Sequence, residues 1–370
     1  MKKSFEEVFE DQTKYGTKVK TDEYCFSGTH IIVDQGQGQI AGYTNREDGL
    51  FVDVPAIVFG DHTRVIKYVD APFFLGADGV KVLRCRFENA NYRYLYYALK
   101  STRIPNTGYN RHFKWLKETQ INYPAAERQA ETVRILDGVM EVIGKRQQQL
   151  YAYDDLIKAR FVELFGDLAN PACTWDKCKL VESCADPDDI KCGPFGTQLG
   201  KDEYTASGIA VWEIPQINSE FKTSPTHYLT TEKAAELSAY SIKPGDIAMS
   251  RKGNVGRCAV FPETFEEGII HSDVLRIRVD DRRVVPEFMM RQLHYSRDVQ
   301  HQIDIVSSGA IMAGINVTKL KQIFVYLPPK GLQDEFAAFV AQVDKSKAQV
   351  QKALDETQLL FNSLMQEYFG

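Results

Sequence analysis

The chain has 370 residues, 45 basic against 50 acidic side chains, and a formal charge of −5. A hydrophobic fraction of 44% is ordinary for folded protein and excludes wholesale disorder, and the length provides for two or three domains. The longest apolar runs, Tyr94–Leu99 and Phe336–Ala341, fall far short of the ~20 residues that cross a membrane, and the opening MKKSFEEVFEDQTKYG lacks the apolar stretch of a secretory signal.

In chain order, residues 1–120 read as a first globular unit. It has strand-like runs at Leu50–Phe59 and Val80–Cys85 and a helical piece at Tyr92–Lys100. Residues 121–170 read as one long helix. Residues 171–324 form a second globular unit with strands at Gly208–Ile214, Ile247–Ser250 and Val274–Val279 and a helix at Glu287–Asp298. Residues 325–370 are a second long helix. The expected fold class is α+β: two mixed α/β domains alternating with two long helices that pair as an antiparallel coiled coil.

The two helices are copies. Sliding the chain by 204 residues lays Pro124–Gly166 on Pro328–Gly370 without a gap, with ten identities in 43 positions, where about three arise by chance. Among them are Pro124/Pro328, Gln129/Gln333, Leu150/Leu354, Leu156/Leu360 and Phe165/Phe369. In the second copy, Phe336, Val340, Val343, Lys347, Val350, Leu354, Thr357, Phe361, Leu364 and Tyr368 alternate steps of four and three, the spacing of a coiled-coil seam. Shifted back, the seam is Thr132, Leu136, Val139, Ile143, Arg146, Leu150, Tyr153, Ile157, Arg160 and Leu164. Each helix is ~60 Å long and cannot bury its stripe alone. Arg146 and Lys347 interrupt the apolar seam, either to set its register or to reach solvent along its edge.

Seven cysteines, an odd number with no export signal, read as free thiols in a reducing cytoplasm. Cys173, Cys178, Cys184 and Cys192 crowd one region but lack the C-x₂-C spacing of zinc sites, and the seven histidines are scattered, so no metal is expected. No P-loop, HExxH or GxSxG motif is present, and Gly36-Gln37-Gly38 has no third glycine at dinucleotide-binding spacing. Pro187-Asp188 with Glu220-Phe221-Lys222 superficially resembles a metal nuclease motif, but Asp186-Pro187-Asp188-Asp189 reads better as a turn. Neither catalytic residues nor cofactors are expected. The acidic total argues against a non-specific nucleic-acid binder, and leaves room for a sequence reader that borrows charge from a partner.

A series of phrases in the second half resembles the specificity subunit of type I restriction-modification systems. They are WDKCKL (Trp175–Leu180), GPFGTQLGKDEY (Gly193–Tyr204), GIAVWEIPQIN (Gly208–Asn218), Lys243-Pro244-Gly245-Asp246-Ile247, SRKGNVG (Ser250–Gly256) and SDVLRIR (Ser272–Arg278). NVTKLKQIFVYLPPKGLQDEF (Asn316–Phe336) then leads into the second long helix. The first half resembles a shorter, variable version, with DQGQGQIAGYT (Asp34–Thr44), VFGDHTRVIKYVDAPFFLGADGVKVL (Val58–Leu83) and INYPAAERQAETVRILD (Ile121–Asp137). The resemblance implies two target-recognition domains, each reading one half of an asymmetric bipartite site on double-stranded DNA. It also implies that the paired helices set the gap and dock two methyltransferase (modification) subunits, with a restriction (translocase) subunit joining, and that the chain itself is non-catalytic. The alternative is a coiled-coil scaffold whose globular units bind protein.

Base reading uses side chains that donate and accept in fixed patterns. In the first unit the candidates are Gln35 and Gln37 with Thr44 and Arg46, and His62, Thr63 and Arg64 after Asp61. In the second they are Thr197, Gln198 and Lys201, and Ser250, Arg251, Lys252 and Asn254 with Arg257 nearby. Asp246 to Arg283 holds seven basic and seven acidic residues, so this stretch brings no net attraction for phosphate.

Overall fold

The computed structural model describes residues 1–76, 78–170, 172–307 and 314–370, with the side chain of Thr197 outside the description. The chain divides into two units, Met1–Gln149 with Val350–Gly370, and Leu150–Gln349. Each long helix therefore contributes to both.

In the first unit, β1 (Lys2–Ser4) pairs antiparallel with the later strand β9 (Gln120–Asn122). The strands between them are β2 (Phe9–Asp11), β3 (His30–Val33), β4 (Gly42–Thr44), β5 (Ala56–Gly60), β6 (Ile66–Val69), β7 (Phe73–Leu75) and β8 (Val80–Cys85). They make an antiparallel sheet in the order β2-β8-β5-β6 and a second sheet β4-β3-β7, whose β3–β7 pair is parallel. Strand β5 is buried over its whole length because alternate residues feed two cores. Ile57 and Phe59, with Leu83 of β8, pack under the helix Tyr92–Lys100. Ala56 and Val58, with Val80 and Val82, pack on Phe51, Phe73 and Leu75 of the other sheet. The run expected from Leu50 becomes strand only at Ala56, after Pro55, which has no N–H for a ladder. Val80–Cys85 and Tyr92–Lys100 fold over the residues expected of them.

The second unit repeats this plan. Its strands are β10 (Asp176–Lys179), β11 (Ile190–Cys192), β12 (Ile209–Trp212), β13 (His227–Leu229), β14 (Ser241–Ile242), β15 (Ile247–Ser250), β16 (Cys258–Val260), β17 (Gly268–Ile270), β18 (Val274–Ile277) and β19 (Phe324–Leu327). Strands β10 and β19 pair as β1 and β9 do, β11-β18-β15-β16 matches β2-β8-β5-β6, and β13-β12-β17 matches β4-β3-β7, down to the parallel middle pair. Only β14 is added. The alternation recurs: Ile247, Met249, Leu275 and Ile277 enter one core, Ala248 and Val274 the other. The helix expected at Glu287–Asp298 is instead two, Pro286–Tyr295 and Arg297–Ser307. Ser296 between them is extended, and its hydroxyl accepts from the Val299 N–H at 3.4 Å. The repeat seen in the helices thus reaches through the globular units. The short helices Phe113–Lys117 and Val317–Leu320 lie 204 residues apart at their starts, and Leu116 and Leu320 are both wholly buried.

The long helices are Ala126–Phe165 and Lys330–Phe369, 40 residues each, offset by 204 at both ends. The repeat identity Gln129/Gln333 has a physical reason. Each side chain is buried and donates through Nε2 to the carbonyl of the proline that precedes its helix, Pro124 at 2.8 Å and Pro328 at 2.7 Å. Within the first unit the helices run antiparallel: Asn122 bonds the Tyr368 carbonyl, and Arg146 donates to the Ala353 carbonyl and the Thr357 hydroxyl. Leu136 and Ile143 are buried with Phe361, and Val139, Leu354, Leu364 and Tyr368 pack around them. Within the second unit they are antiparallel again, through Lys347–Asp154 at 2.5 Å and Arg160–Glu335 at 2.5 Å. Ile157 is buried with Phe336, Val340 and Val343, beside Tyr153 and Leu164. Arg146 and Lys347, which interrupt the apolar seam, therefore both bridge to the opposite helix. Two expected seam residues differ: Leu150 and Val350 are half-buried and belong to neither core.

Phe161 was not in the expected seam. It is buried and touches Phe165, Phe288, Tyr295 and Phe336 at ring distances of 5.0–5.9 Å. Here the apolar stripe widens from a coiled-coil seam to a broader face, because this end of the helix also covers the helix Pro286–Tyr295. Phe161→Ala is expected to lower unfolding stability by about 3–5 kcal/mol and Leu150→Ala by about 1 kcal/mol, measured by denaturant titration.

His294 is mostly buried, and its Nε2 accepts from the Cys258 N–H at 3.1 Å, with the Cys258 thiol 3.2 Å away. Burial, reinforced by Arg257 and Arg291, pulls its pKa down from 6.5 to about 4. The unfolded chain thus binds a proton that the folded chain refuses between those values. Stability is full above pH 6.5 and falls as pH drops toward 4, by up to about 3 kcal/mol. Denaturation of His294→Gln across this window should show a flatter dependence on pH than the unaltered chain. Among the described residues no helix is long and apolar enough to cross a membrane.

Candidate nucleic-acid interface

At one end of the first unit's two sheets, the loop after β3, the β5–β6 hairpin, the residues before β8 and the segment 101–112 converge. Gln35 joins them. Its Nε2 donates to the Asp78 carbonyl at 3.0 Å, its Oε1 accepts from the His62 N–H at 3.2 Å, and its carbonyl accepts from the Thr63 hydroxyl at 2.6 Å. Gln39 follows the edge strand β6 and donates to the Tyr68 carbonyl at 2.6 Å. Beneath it Lys67 is buried 3.4 Å from Asp34, and burial lowers its pKa against the pull of that carboxylate. Two glycines allow the close approach. A Cβ on Gly60 would lie 2.3 Å from Thr63 Oγ1 and 2.9 Å from Gln35 Cβ. Gly79, at φ +90°, would place one 2.7 Å from the His62 ring and 2.8 Å from Gln35 Oε1.

The hairpin itself holds the segment 101–112. Arg64, in the left-handed region at φ +62°, donates to the Ile104 carbonyl at 3.3 Å. Asp61 is buried; its carbonyl accepts from the His112 N–H at 2.8 Å and its Oδ1 from the Phe113 N–H at 2.7 Å, at the start of the helix Phe113–Lys117. The His62 ring stacks on exposed Tyr109, 4.7 Å away and 7° from parallel. Gln35, Gln37, His62, Thr63 and Arg64 are thus brought together, and Gln37, Thr63 and Arg64 line one cleft of about 490 Å³ with Lys100 and Thr102.

Thr44 and Arg46 do not join them. Antiparallel pairing sets Thr44 opposite His30, so these residues sit at the far end of β3, about 16 Å from Gln35. Thr44 is also buried, its hydroxyl accepting from the Arg46 N–H at 3.2 Å, and Arg46 faces Asp48 at 3.8 Å.

In the second unit, the hairpin 251–257 between β15 and β16 is the topological equivalent of 61–65. The Arg251 N–H donates to the Asp273 carbonyl at 2.9 Å, as the Asp61 N–H does to Gly79 at 2.6 Å. The Arg251 side chain bonds the Ile315 carbonyl at 3.0 Å and lies 4.8 Å over the Phe195 ring. This contact, invisible in the sequence, joins the hairpin to the loop that carries Gln198 and Lys201. Gln198 accepts from the Phe195 N–H at 3.0 Å and the Tyr240 hydroxyl at 3.1 Å, and Lys201 is exposed. The side chain of Thr197 lies outside the described residues. Lys252 pairs with Asp273 at 2.8 Å and Arg257 with Glu220 at 3.1 Å, while exposed Asn254 follows Gly253 at φ +68°. Ser250 is corrected: it ends the central strand β15, is wholly buried, and presents no hydroxyl to a surface.

The second hairpin presents exposed Lys252, Asn254 and Arg257, whereas in the first Thr63 is exposed and His62 and Arg64 are half-buried. Surface ion pairs such as Lys252–Asp273 are worth about 0–1 kcal/mol, so these cations can transfer to phosphate or base at little cost. Missed in the sequence were Tyr109 and Phe195, aromatic side chains among the polar loop residues, and the buried, structural role of Asp61. Gly79→Ala is expected to destabilise the first unit by about 1–3 kcal/mol and to separate Gln35 from His62, read as chemical-shift changes confined to these loops.

Residues 1–151 match the family model for the type I restriction modification DNA specificity domain. This is the half whose phrases read as the more variable. The type I restriction-modification S subunit of M. genitalium superposes with a TM-score of 0.60 at 15% identity, covering 100% of this chain and 96% of that one. A chain from a structure on complex assembly and conformational transition of the type I restriction-modification system gives 0.57 at 17% identity, covering 100% and 97%. Among curated proteins none matches. The second half shares the strand order of the first, so the likeness of fold is not confined to the matched residues. The first 151 residues are thus similar in sequence to that specificity domain, and the full length shares its fold with these two solved chains.

Proposed function

We propose that this chain is the non-catalytic DNA-reading subunit of a type I restriction-modification complex, in which each unit reads one half of an asymmetric bipartite site. The observation that carries the reading is the pair of equivalent hairpins. Asp61-His62-Thr63-Arg64 and Arg251–Arg257 occupy equivalent places in the equivalent sheets of the two units and offer different donors and acceptors. Identical frames with different loops are what two different half-sites require.

In this reading the paired helices set the gap between half-sites and dock two modification subunits, with a restriction subunit joining, in the cytoplasm. Charge supports dependence on partners. The chain carries −5 overall, and residues 246–283 hold as many acidic as basic side chains. Much of the phosphate neutralisation then falls to the modification subunits.

The test is a pair of substitutions in the assembled complex. Arg64→Ala should relax base preference at one half-site, by about 1–3 kcal/mol per base pair read, and Arg251→Ala at the other half-site only. The measurement is methylation of a duplex library randomised in both half-sites. Equal loss across all sequences from both variants would contradict base reading by these hairpins.

A further inference from the structure

The segment from Asn89 to Lys117 contains no Asp or Glu in 29 residues and carries Arg93, Lys100, Arg103, Arg111, Lys114 and Lys117. In a chain of charge −5 this is a local reversal of sign. Arg93 is spent inside the unit, on Asp137 at 2.8 Å, and Lys117 faces Glu6 at 3.5 Å. Lys100, Arg103 and Arg111 are exposed. Among the described residues Arg103 has no ion-pair or hydrogen-bond partner. Arg111 acts on the Asp78 carboxylate electrostatically, and Lys18 already pairs with that carboxylate at 2.5 Å.

Position gives this charge a use. Arg64, Asp61 and His62 of the β5–β6 hairpin hold the segment at Ile104, His112 and Tyr109 respectively. Lys100 and Thr102 line the same cleft as Gln37 and Arg64, and no carboxylate lines it. A polyanion drawn to these cations is therefore delivered against the hairpin.

We propose that Lys100, Arg103 and Arg111 are the phosphate-contact track of the first unit, which seats the DNA backbone so that the hairpin meets the base edges. The partner is the sugar-phosphate backbone of duplex DNA, and the inference rests on the DNA-reading function above. The three side chains position the DNA and read no base, which sets them apart from Arg64.

The test uses the full chain assembled with its modification subunits and a duplex carrying the site, whose sequence is taken from the methylated motif. Lys100→Gln, Arg103→Gln and Arg111→Gln are combined, with Arg103→Gln alone as the milder variant should the triple variant fold poorly. Affinity should fall, and the slope of log K against log salt should become shallower by about 2–3 for the triple variant and about 1 for the single. The methylated motif should keep every base. An unchanged slope and affinity would overturn the proposal, as would a relaxed base preference at an unchanged slope, which would make the segment a base reader. If the unaltered complex showed no preference for the site over random duplex, the DNA-reading function itself would fail, a result independent of these variants.

Discussion

The burial of two helix stripes against each other is the constraint on which the rest depends. A 40-residue helix with one apolar face is not stable in water alone, and each of the two finds its cover in the other. Because they are antiparallel, each unit takes the first part of one helix and the last part of the other. The terminal Phe165 and Phe369 pack against the short helix of the unit where each long helix ends, on Phe288 at 4.7 Å and Tyr94 at 5.2 Å. The helix start, fixed by Gln129 or Gln333 on a proline carbonyl, and the helix end, fixed by phenylalanine, are thus repeated features that tie coiled coil to globular unit.

On that foundation one sheet plan serves twice. Its central strands, β5 and β15, send alternate residues into two cores, so the backbone at the hairpin tips is held from both faces. In the proposed function rigidity at the tip matters, because reading a base edge requires donors fixed in direction, and a mobile loop pays the ordering entropy on each encounter. The side chains at the tips are then free to differ between units without altering the frame. Arg64 and Arg251 each bond a carbonyl of the segment before the next short helix, Ile104 and Ile315, so even the variable tips keep one common tie.

Much of this was legible in the sequence because it rests on periodicity. The 204-residue repeat and the four-three seam specify both helices and their pairing, and buried strands such as Ile247–Ser250 show as short apolar runs. What was not legible depends on contacts between segments distant in the chain. Phe161 lies off the heptad seam because a second surface covers it. Ser250 reads as a loop residue but closes a central strand. Thr44 and Arg46 follow Gln35 closely in sequence yet sit at the other end of a strand pair. The segment 101–112 reads as an ordinary Pro- and Gly-containing loop, and its absence of acidic residues acquires meaning only once Arg64 and His62 are seen to hold it.

The most direct test of the account is base-resolved methylation of host DNA with this gene intact and deleted, the modification subunit being expressed in both. The account predicts that one asymmetric, two-part methylated motif is present with the gene and lost without it. An unchanged methylation pattern would contradict it.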